Sequence, residues 1–223
     1  MGKLYVVATP IGNLSDITLR AIETLKTADF IAAEDTRTSS VLLKHLGITK
    51  PMMSFHSHSS SGRASEIIEK VISGSNAALI TDAGTPGISD PGYTLIRDAI
   101  KSGVEVIPIP GPTAFVTALS ASGLRTDRFI FEGFLPLKKG RQTKLRSLSN
   151  EQRTIIFYES PHRIDKTLRE LGTYFGDRRC VVARELTKIH ESFYHGTISQ
   201  MVDLINKSEK RGEFVIIVEG AEN

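Results

Sequence analysis

The 223-residue sequence has a single cysteine, Cys180, so no disulfide can form within the chain. No opening segment combines basic, apolar and small residues in the manner of a secretion signal. Together these absences lead to the expectation of a reducing, cytoplasmic location. Long apolar runs are missing too. The longest candidates, Ala77–Thr81 and Phe214–Val218, have the length of strands, far short of the roughly 20 residues a membrane helix needs, so no membrane role is expected. There is no G-x-x-x-x-G-K-[ST] loop for a triphosphate and no G-x-G-x-x-G turn after the first apolar segment, which disfavours a kinase, an ATPase or a dehydrogenase. Internal repeats and low-complexity tracts are absent.

Charge is scarce as a signal. A net charge of +3 fits many proteins that never touch nucleic acid. Its distribution says more: between Lys138 and Arg169, nine basic residues stand against three acidic ones, Glu151, Glu159 and Asp165. Such a stretch can pair with phosphates or form a solvated helix face.

What is present is alternation. In the first half, short β-branched or apolar segments (Leu4–Ala8, Phe30–Ala33, Met52–Phe55, Ala77–Thr81, Val104–Ile109) alternate with helical patterns (Thr18–Ala28, Arg37–Leu46, Arg63–Ile72, Pro91–Ser102). That pattern predicts a parallel sheet built from βαβ units, with Ser15 or Asp16 capping the first helix. A small-residue helix over Thr113–Ala121 follows, and the composition shifts near residues 119–127. This places an N-terminal α/β domain at 1–120 and a C-terminal one at 121–223. The second half predicts strands at Phe129–Phe134, Thr154–Tyr158, Arg179–Glu185 and Glu213–Val218, with helices at Arg141–Leu148, His162–Phe175 and Ile198–Asn206. Strand direction there cannot be read.

Ligands of open α/β sheets bind outside the carboxyl ends of strands. Four strands end in loops of small and polar residues: Thr9-Pro10-Ile11-Gly12-Asn13-Leu14, Glu34-Asp35-Thr36-Arg37, the run from Asp82 to Gly92, and Pro108-Ile109-Pro110-Gly111-Pro112-Thr113-Ala114. Glycine allows close backbone approach and proline holds loop shape.

The segments LYVVATPIGNLSD, IAAEDTRTS, ITDAGTPGISDPG, PIPGPTA, FYESPHR, ARELTK and GEFVIIVEG resemble, in order from Leu4 to Gly220, the successive blocks of the tetrapyrrole methylase superfamily. The likeness is to its ribosomal RNA (cytidine-2′-O)-methyltransferase branch in particular. The resemblance implies two α/β domains of the class III methyltransferase type, S-adenosylmethionine in the cleft between them, and a homodimer. The implied substrate is a cytidine ribose of 16S ribosomal RNA or the small ribosomal subunit. Cofactor contacts are implied at Pro10, Ile11 and Gly12, at Gly84, Thr85, Pro86 and Ile88, at Thr113 and Ala114, and in the second half at Tyr158, Ala183, Gly212 and Glu213. Members of that branch continue past the final strand into a small helical domain, whereas this sequence stops at Asn223. The grip on RNA is then expected from the basic 138–169 stretch, a dimer surface or the assembled subunit.

Transfer to a ribose hydroxyl requires the acceptor oxygen about 3 to 3.5 Å from the methyl carbon, and a base to take its proton. Glu34, Asp35 and Arg37 at the end of the second strand are candidates, as are Glu159, Arg163, Arg184, Glu185 and Lys188 in the second half, a carboxylate accepting the proton while Arg37, Arg163 or Arg184 holds a phosphate. The competing reading for each is a salt bridge. His56-Ser57-His58 could share a cation, yet no further ligand stands nearby in sequence, and no metal is expected; His58 could instead touch substrate. His162, His190 and His195 read as structural, the last two flanking an exposed turn. Two other functions stay open: methylation of a tetrapyrrole, against which AGTP stands where a Gly-Asp-Pro triplet is expected, and a non-catalytic RNA-binding relative.

Overall fold

Strands that are apolar on both faces, each followed by an amphipathic helix, fold as a parallel sheet sandwiched between helices. The computed structural model, which describes residues 1–55, 61–207 and 211–222, shows this in the first of two compact units, Met1–Thr113 and Ala114–Asn223. Its elements run β1 (Lys3–Val7), α1 (Leu19–Thr27), β2 (Phe30–Ala33), α2 (Thr36–His45), β3 (Met52–Ser54), α3 (Ser61–Ile72), β4 (Ala77–Ile80), α4 (Gly92–Lys101) and β5 (Glu105–Ile109). The strands lie in the order β3-β2-β4-β1-β5, all parallel. β2 and β4 are buried at every residue. Val7, Ile31, Ala33 and Ile80 pack with Ala21 and Leu25 of α1 and Leu43 of α2, while Leu4, Phe30, Ala32 and Leu79 pack with Ile67 of α3 and Leu95 of α4. Helices α1 and α2 therefore cover one face, α3 and α4 the other.

The cap of α1 differs from expectation. Thr18, not Ser15 or Asp16, accepts the Ala21 amide at 3.1 Å. Ser15 and Asp16 lie in a 3₁₀ turn, Leu14–Asp16, capped by the Asn13 side chain. Two polar turns in succession each need a cap, and the residue nearest the helix serves it.

The second unit comprises α5 (Ala114–Ser120), β6 (Phe129–Phe134), α6 (Arg141–Leu148), β7 (Thr154–Glu159), α7 (Ile164–Phe175), β8 (Arg179–Arg184), β9 (Ser192–Thr197), α8 (Ile198–Lys207) and β10 (Phe214–Val218). Its sheet order is β6-β7-β10-β8-β9, with β6 and β7 parallel and the other pairs antiparallel. Phe157, Phe214 and Ile216 face the core built with Leu168 and Leu171 of α7 and Met201 of α8. Helix α5 packs on β7 and β10, so it belongs to this unit. The division accordingly falls at Thr113/Ala114, before that helix, whereas the composition shift placed it at 120/121. The exposed turn expected beside His190 is present, but His195 lies on a strand that was not expected, β9, where it pairs with Val181. The segment SFYHGT is half polar and has a neighbour on one side only, which hides an edge strand from periodicity.

Candidate functional site

In a parallel sheet, the gap opens where neighbouring strands send their connections to opposite faces. Here that happens between β1, followed by α1, and β4, followed by α4. The two loops meet at this point. The Thr9 amide donates to the Gly84 carbonyl at 2.9 Å and the Gly84 amide returns the bond at 3.0 Å; the Thr9 hydroxyl donates to the Thr81 carbonyl at 3.2 Å. Gly84 sits at φ +85°, where a side chain is strained, and a Cβ there would meet Ile11 at 3.4 Å. The loop after β5 joins in. The Thr85 hydroxyl donates to the Pro112 carbonyl at 3.1 Å and lies 2.6 Å from the Thr113 hydroxyl. Gly111 passes so close to β1 that a Cβ would stand 2.9 Å from the Ala8 Cβ. Asp90 closes the long loop on itself by accepting the Gly87 amide at 2.9 Å and the Gly92 amide at 2.6 Å. Thus Pro10, Ile11, Gly12, Gly84, Thr85, Pro86, Ile88 and Thr113 lie on three mutually bonded loops. Pro10, Ile11, Gly84 and Pro86 are buried; Gly12 and Ile88 are exposed. Ala114, the last of that expected set on the PGPTA segment, opens α5 in the second unit.

A carboxylate rim lies at the same edge. The Thr81 hydroxyl donates to Glu34 at 2.5 Å, and the Asp35 amide donates to Asp82 at 3.1 Å. Arg37 holds Asp35 with its guanidinium at 2.6 Å, keeping that carboxyl down at about 2. Asp82 is displaced the other way, because burial and then the Glu34 and Asp35 carboxylates oppose its ionisation. Asp82 was not singled out from the sequence, although it is the second residue past β4, a position at which open α/β sheets present chemistry.

In the second unit, β-sheet alternation separates the candidates. Tyr158, Val215 and Ala183 are aligned across β7, β10 and β8, on the face covered by α5, where the Tyr158 hydroxyl accepts the Phe115 amide at 3.1 Å. Glu159 points to the opposite face. Its side chain is 1% exposed and takes Arg163 at 3.0 Å, the Thr167 hydroxyl at 2.6 Å and the Ser160 amide at 2.8 Å. Arg141, 4% exposed, completes the network through Thr167 at 2.7 Å and Glu170 at 2.6 Å. Glu159 and Arg163 therefore carry the architecture, and the salt-bridge reading describes them.

The ARELTK segment forms a further cluster. The Glu185 carboxylate accepts the Glu213 amide at 2.9 Å and Lys188 at 2.8 Å. Burial alone would push this carboxyl up, but Lys188 and the Glu213 amide outweigh it and hold it below its ordinary value. The backbone here is strained: Glu185 has φ 51° and Thr187 φ 66°. Gly212, at φ +90°, runs against Glu185, whose Cδ would stand 2.3 Å from any added Cβ. Arg184 donates to the Arg211 carbonyl at 2.8 Å. The Thr187 Oγ1 is buried with no hydrogen-bond partner among the described residues.

The basic stretch resolves into pairs. Arg141, Lys144, Arg153, Arg163, Lys166 and Arg169 each have a carboxylate partner, so the stretch as a whole is not a phosphate-binding face. Among the described residues, no ion pair engages Lys138, Lys139 or Arg146. A hollow of about 1330 Å³ opens where β6 and β7 begin, but its Arg125 and Arg153 are neutralised by Asp127 and Glu151. The histidines at 56 and 58 lie outside the described residues, among which no group of three or more histidine, cysteine or acidic side chains is arranged to hold a metal. Nor is any described helix long and apolar enough to cross a membrane.

A family model for tetrapyrrole (corrin/porphyrin) methylases matches residues 3–202. The chain is 53% identical over 223 residues to a Synechocystis protein called ribosomal RNA small subunit methyltransferase I, covering 99% of this chain and 80% of that one. It is 46% identical over 222 residues to the Thermotoga maritima protein of the same name, covering all of both chains. Among solved structures, the uroporphyrin-III C-methyltransferase of Thermus thermophilus complexed with S-adenosyl homocysteine superposes with a TM-score of 0.69 at 18% identity, over 98% of this chain and 97% of that one.

Proposed function

The chain belongs to the tetrapyrrole (corrin/porphyrin) methylase family and is a methyltransferase, and from that premise we propose that it methylates ribosomal RNA of the small subunit with S-adenosylmethionine. We infer further that the acceptor is the ribose 2′-hydroxyl of a cytidine in 16S RNA. The observation that carries this reading is the convergence of three small-residue loops, bonded to one another through Thr9, Gly84, Thr85 and Thr113, beside a carboxylate rim. The near-50% identity to relatives named for small-subunit RNA methylation selects the substrate class. The likeness to uroporphyrin enzymes, at 18% identity, speaks for the fold alone.

The residues present fit S-adenosylmethionine. Gly84 and Gly111 let the three loops close on one another, since a Cβ at either would meet Ile11 or Ala8, the walls at Pro10, Ile11 and Pro86 are apolar, and the rim of Glu34, Asp35 and Asp82 suits a ligand bearing positive charge. Bound there, the cofactor supplies a methyl group on a positively charged sulfur. The chain's own residues must align the acceptor oxygen, exclude water and take its proton. Of the rim carboxylates, Asp35 is a poor acceptor because Arg37 keeps it ionised down to about 2. Asp82, shifted upward by burial and like charge, is the better general base. Tyr158, Ala183, Gly212 and Glu213 are assigned to cofactor binding, and Arg37, Arg184 and Glu185 to holding RNA or cofactor, as parts of the same proposal. A homodimer acting on subunits in the cytoplasm also belongs to it and is checked by sedimentation and cell fractionation.

Labelled methyl transfer to small subunits from cells lacking this protein tests the reading. Label is expected on a cytidine ribose, and none when the target 2′-hydroxyl is replaced by hydrogen. Transfer to no RNA form, or to a porphyrin instead, would overturn it; calorimetric absence of S-adenosylmethionine binding would leave a non-catalytic relative.

A further inference from the structure

Strand β6 is the edge of the second sheet and carries a row of rings. Phe115 stacks on Phe131 at 4.4 Å between centroids and 21° between planes, Phe131 meets Tyr158 edge-on at 4.9 Å, and Phe134 meets Tyr158 at 5.7 Å. Simple alternation would send Phe131 and Phe134 to opposite faces. The register shift between Phe131 and Gly133 cancels it, as an extra bulge residue does. Glu132, the residue so displaced, pairs with Lys144 at 2.5 Å. The row therefore ends on Phe134, which is 53% exposed beside Tyr158.

The loop that follows is held in place by one buried and one half-buried cation. Arg163 donates to the Leu135 carbonyl at 2.7 Å and Arg141 to the Pro136 carbonyl at 3.1 Å, both guanidiniums belonging to the Glu159 network. Leu135 is anchored at 3% exposure, while Leu137 is 70% exposed. Lys138 and Lys139 come next and, among the described residues, have no ion pair. They lie four and five residues beyond Phe134, within about 17 Å of it at full chain extension.

We propose that Phe134 is a stacking platform for an unpaired base of the RNA substrate, with Lys138 and Lys139 taking neighbouring phosphates. The proposal rests on the RNA-methylation reading above and names the element that receives the strand. An exposed ring followed closely in the chain by cations that have no ion pair among the described residues is the combination single-stranded RNA requires: each base offers a face to stack, each linkage a charge to neutralise. A second copy of this chain would be an alternative occupant of an apolar edge. Two lysines without an ion pair among the described residues and a bulge that re-aims the strand argue for a polyanion instead.

The test uses the full chain, a fluorescent ten-nucleotide single-stranded RNA containing cytidine, anisotropy titrations across a salt series, and steady-state methyl transfer to small subunits. Phe134→Leu should weaken RNA binding roughly tenfold or more and raise KM for RNA without lowering kcat, while Phe134→Tyr restores both. The double variant K138A/K139A should flatten the salt dependence by about 1.4 units of slope, at about 0.7 for each phosphate contact on a single strand. Calorimetry with S-adenosylmethionine and thermal unfolding confirm that each variant remains folded and loaded. RNA affinity unchanged in Phe134→Leu overturns the proposal, as does loss of a dimer with RNA affinity intact, which makes the row a subunit contact. If the unaltered chain methylates no RNA, the functional reading fails; if it does so and Phe134→Leu does so equally well, only the stacking role fails.

Discussion

The two units spend their polar residues in opposite ways. In the first, hydroxyls and carboxylates gather at the open edge of a parallel sheet, where Glu34 and Asp82 bond to backbone or to a short side chain and Asp35 is held by Arg37. In the second, the most connected charges are inside: Glu159, Arg163, Arg141 and Thr167 satisfy one another beneath β7. Buried charge is tolerated only when every partner is supplied, and its loss is expensive. Rim charge costs little and remains free to act on something else. Two glutamates that look alike in sequence, Glu34 in IAAEDTR and Glu159 in FYESPHR, thus differ in setting: Glu34 meets Thr81 and the Asp82 amide at the sheet edge, whereas Glu159 is enclosed by Arg163, Thr167 and the Ser160 amide.

The largest effect that would sharpen this contrast is at Glu159. Glu159→Ala leaves Arg163 and the Thr167 hydroxyl short of a buried acceptor and should cost about 3–5 kcal/mol in urea unfolding, with Glu159→Gln intermediate. A loss under about 1 kcal/mol would place Glu159 with exposed pairs and erase the distinction. Next in size is Gly111→Ala. Its Cβ would stand 2.9 Å from the Ala8 Cβ, an overpacking worth about 1–3 kcal/mol. Because the displaced backbone belongs to the loop that Thr85 and Thr113 tie down, S-adenosylmethionine affinity should fall as well, read by calorimetry. Glu159→Gln, by contrast, should keep that affinity wherever it is folded.

How much of this was legible in the sequence follows the same division. The edge loops of the first unit announce themselves because backbone does the work there, and backbone that must come close needs Gly84 and Gly111. Strand β6 and helix α6 were readable to the residue, since Phe129–Phe134 and Arg141–Leu148 are bounded by polar or glycine-containing turns. The role of Glu159 was hidden. It depends on which face of β7 the following helix covers, and alternation gives two faces without naming the buried one. Phe134 was hidden for a related reason, as one bulge residue at Glu132 shifts the phase of the strand. Asp82 stood in a motif rich in glycine and proline, and its environment is made by Glu34 and Asp35, 47 or more residues away in sequence.

The smaller effects concern pH and separate two residues of the rim joined by the bond from the Asp35 amide to the Asp82 carboxylate. Asp82 has its carboxyl raised in the fold, so its contribution to stability is complete below the ordinary carboxylate value of 3.8 and is lost as pH rises through the folded value. Asp82→Asn should therefore raise the melting temperature slightly at pH 7 and leave it unchanged at pH 3, while methyl transfer to small subunits falls with S-adenosylmethionine binding retained. Asp35 is its mirror image. Held at about 2 by Arg37, it stabilises above 3.8 and loses that contribution only as pH falls toward 2, so Asp35→Asn should lower the melting temperature slightly at pH 7 and by less at pH 2. Melting curves of the two variants over pH 2–7 should then diverge in opposite directions from the unaltered chain as pH increases. Curves that move together would mean the rim behaves as one shared charge, and the assignment of Asp82 as proton acceptor would lose its physical basis.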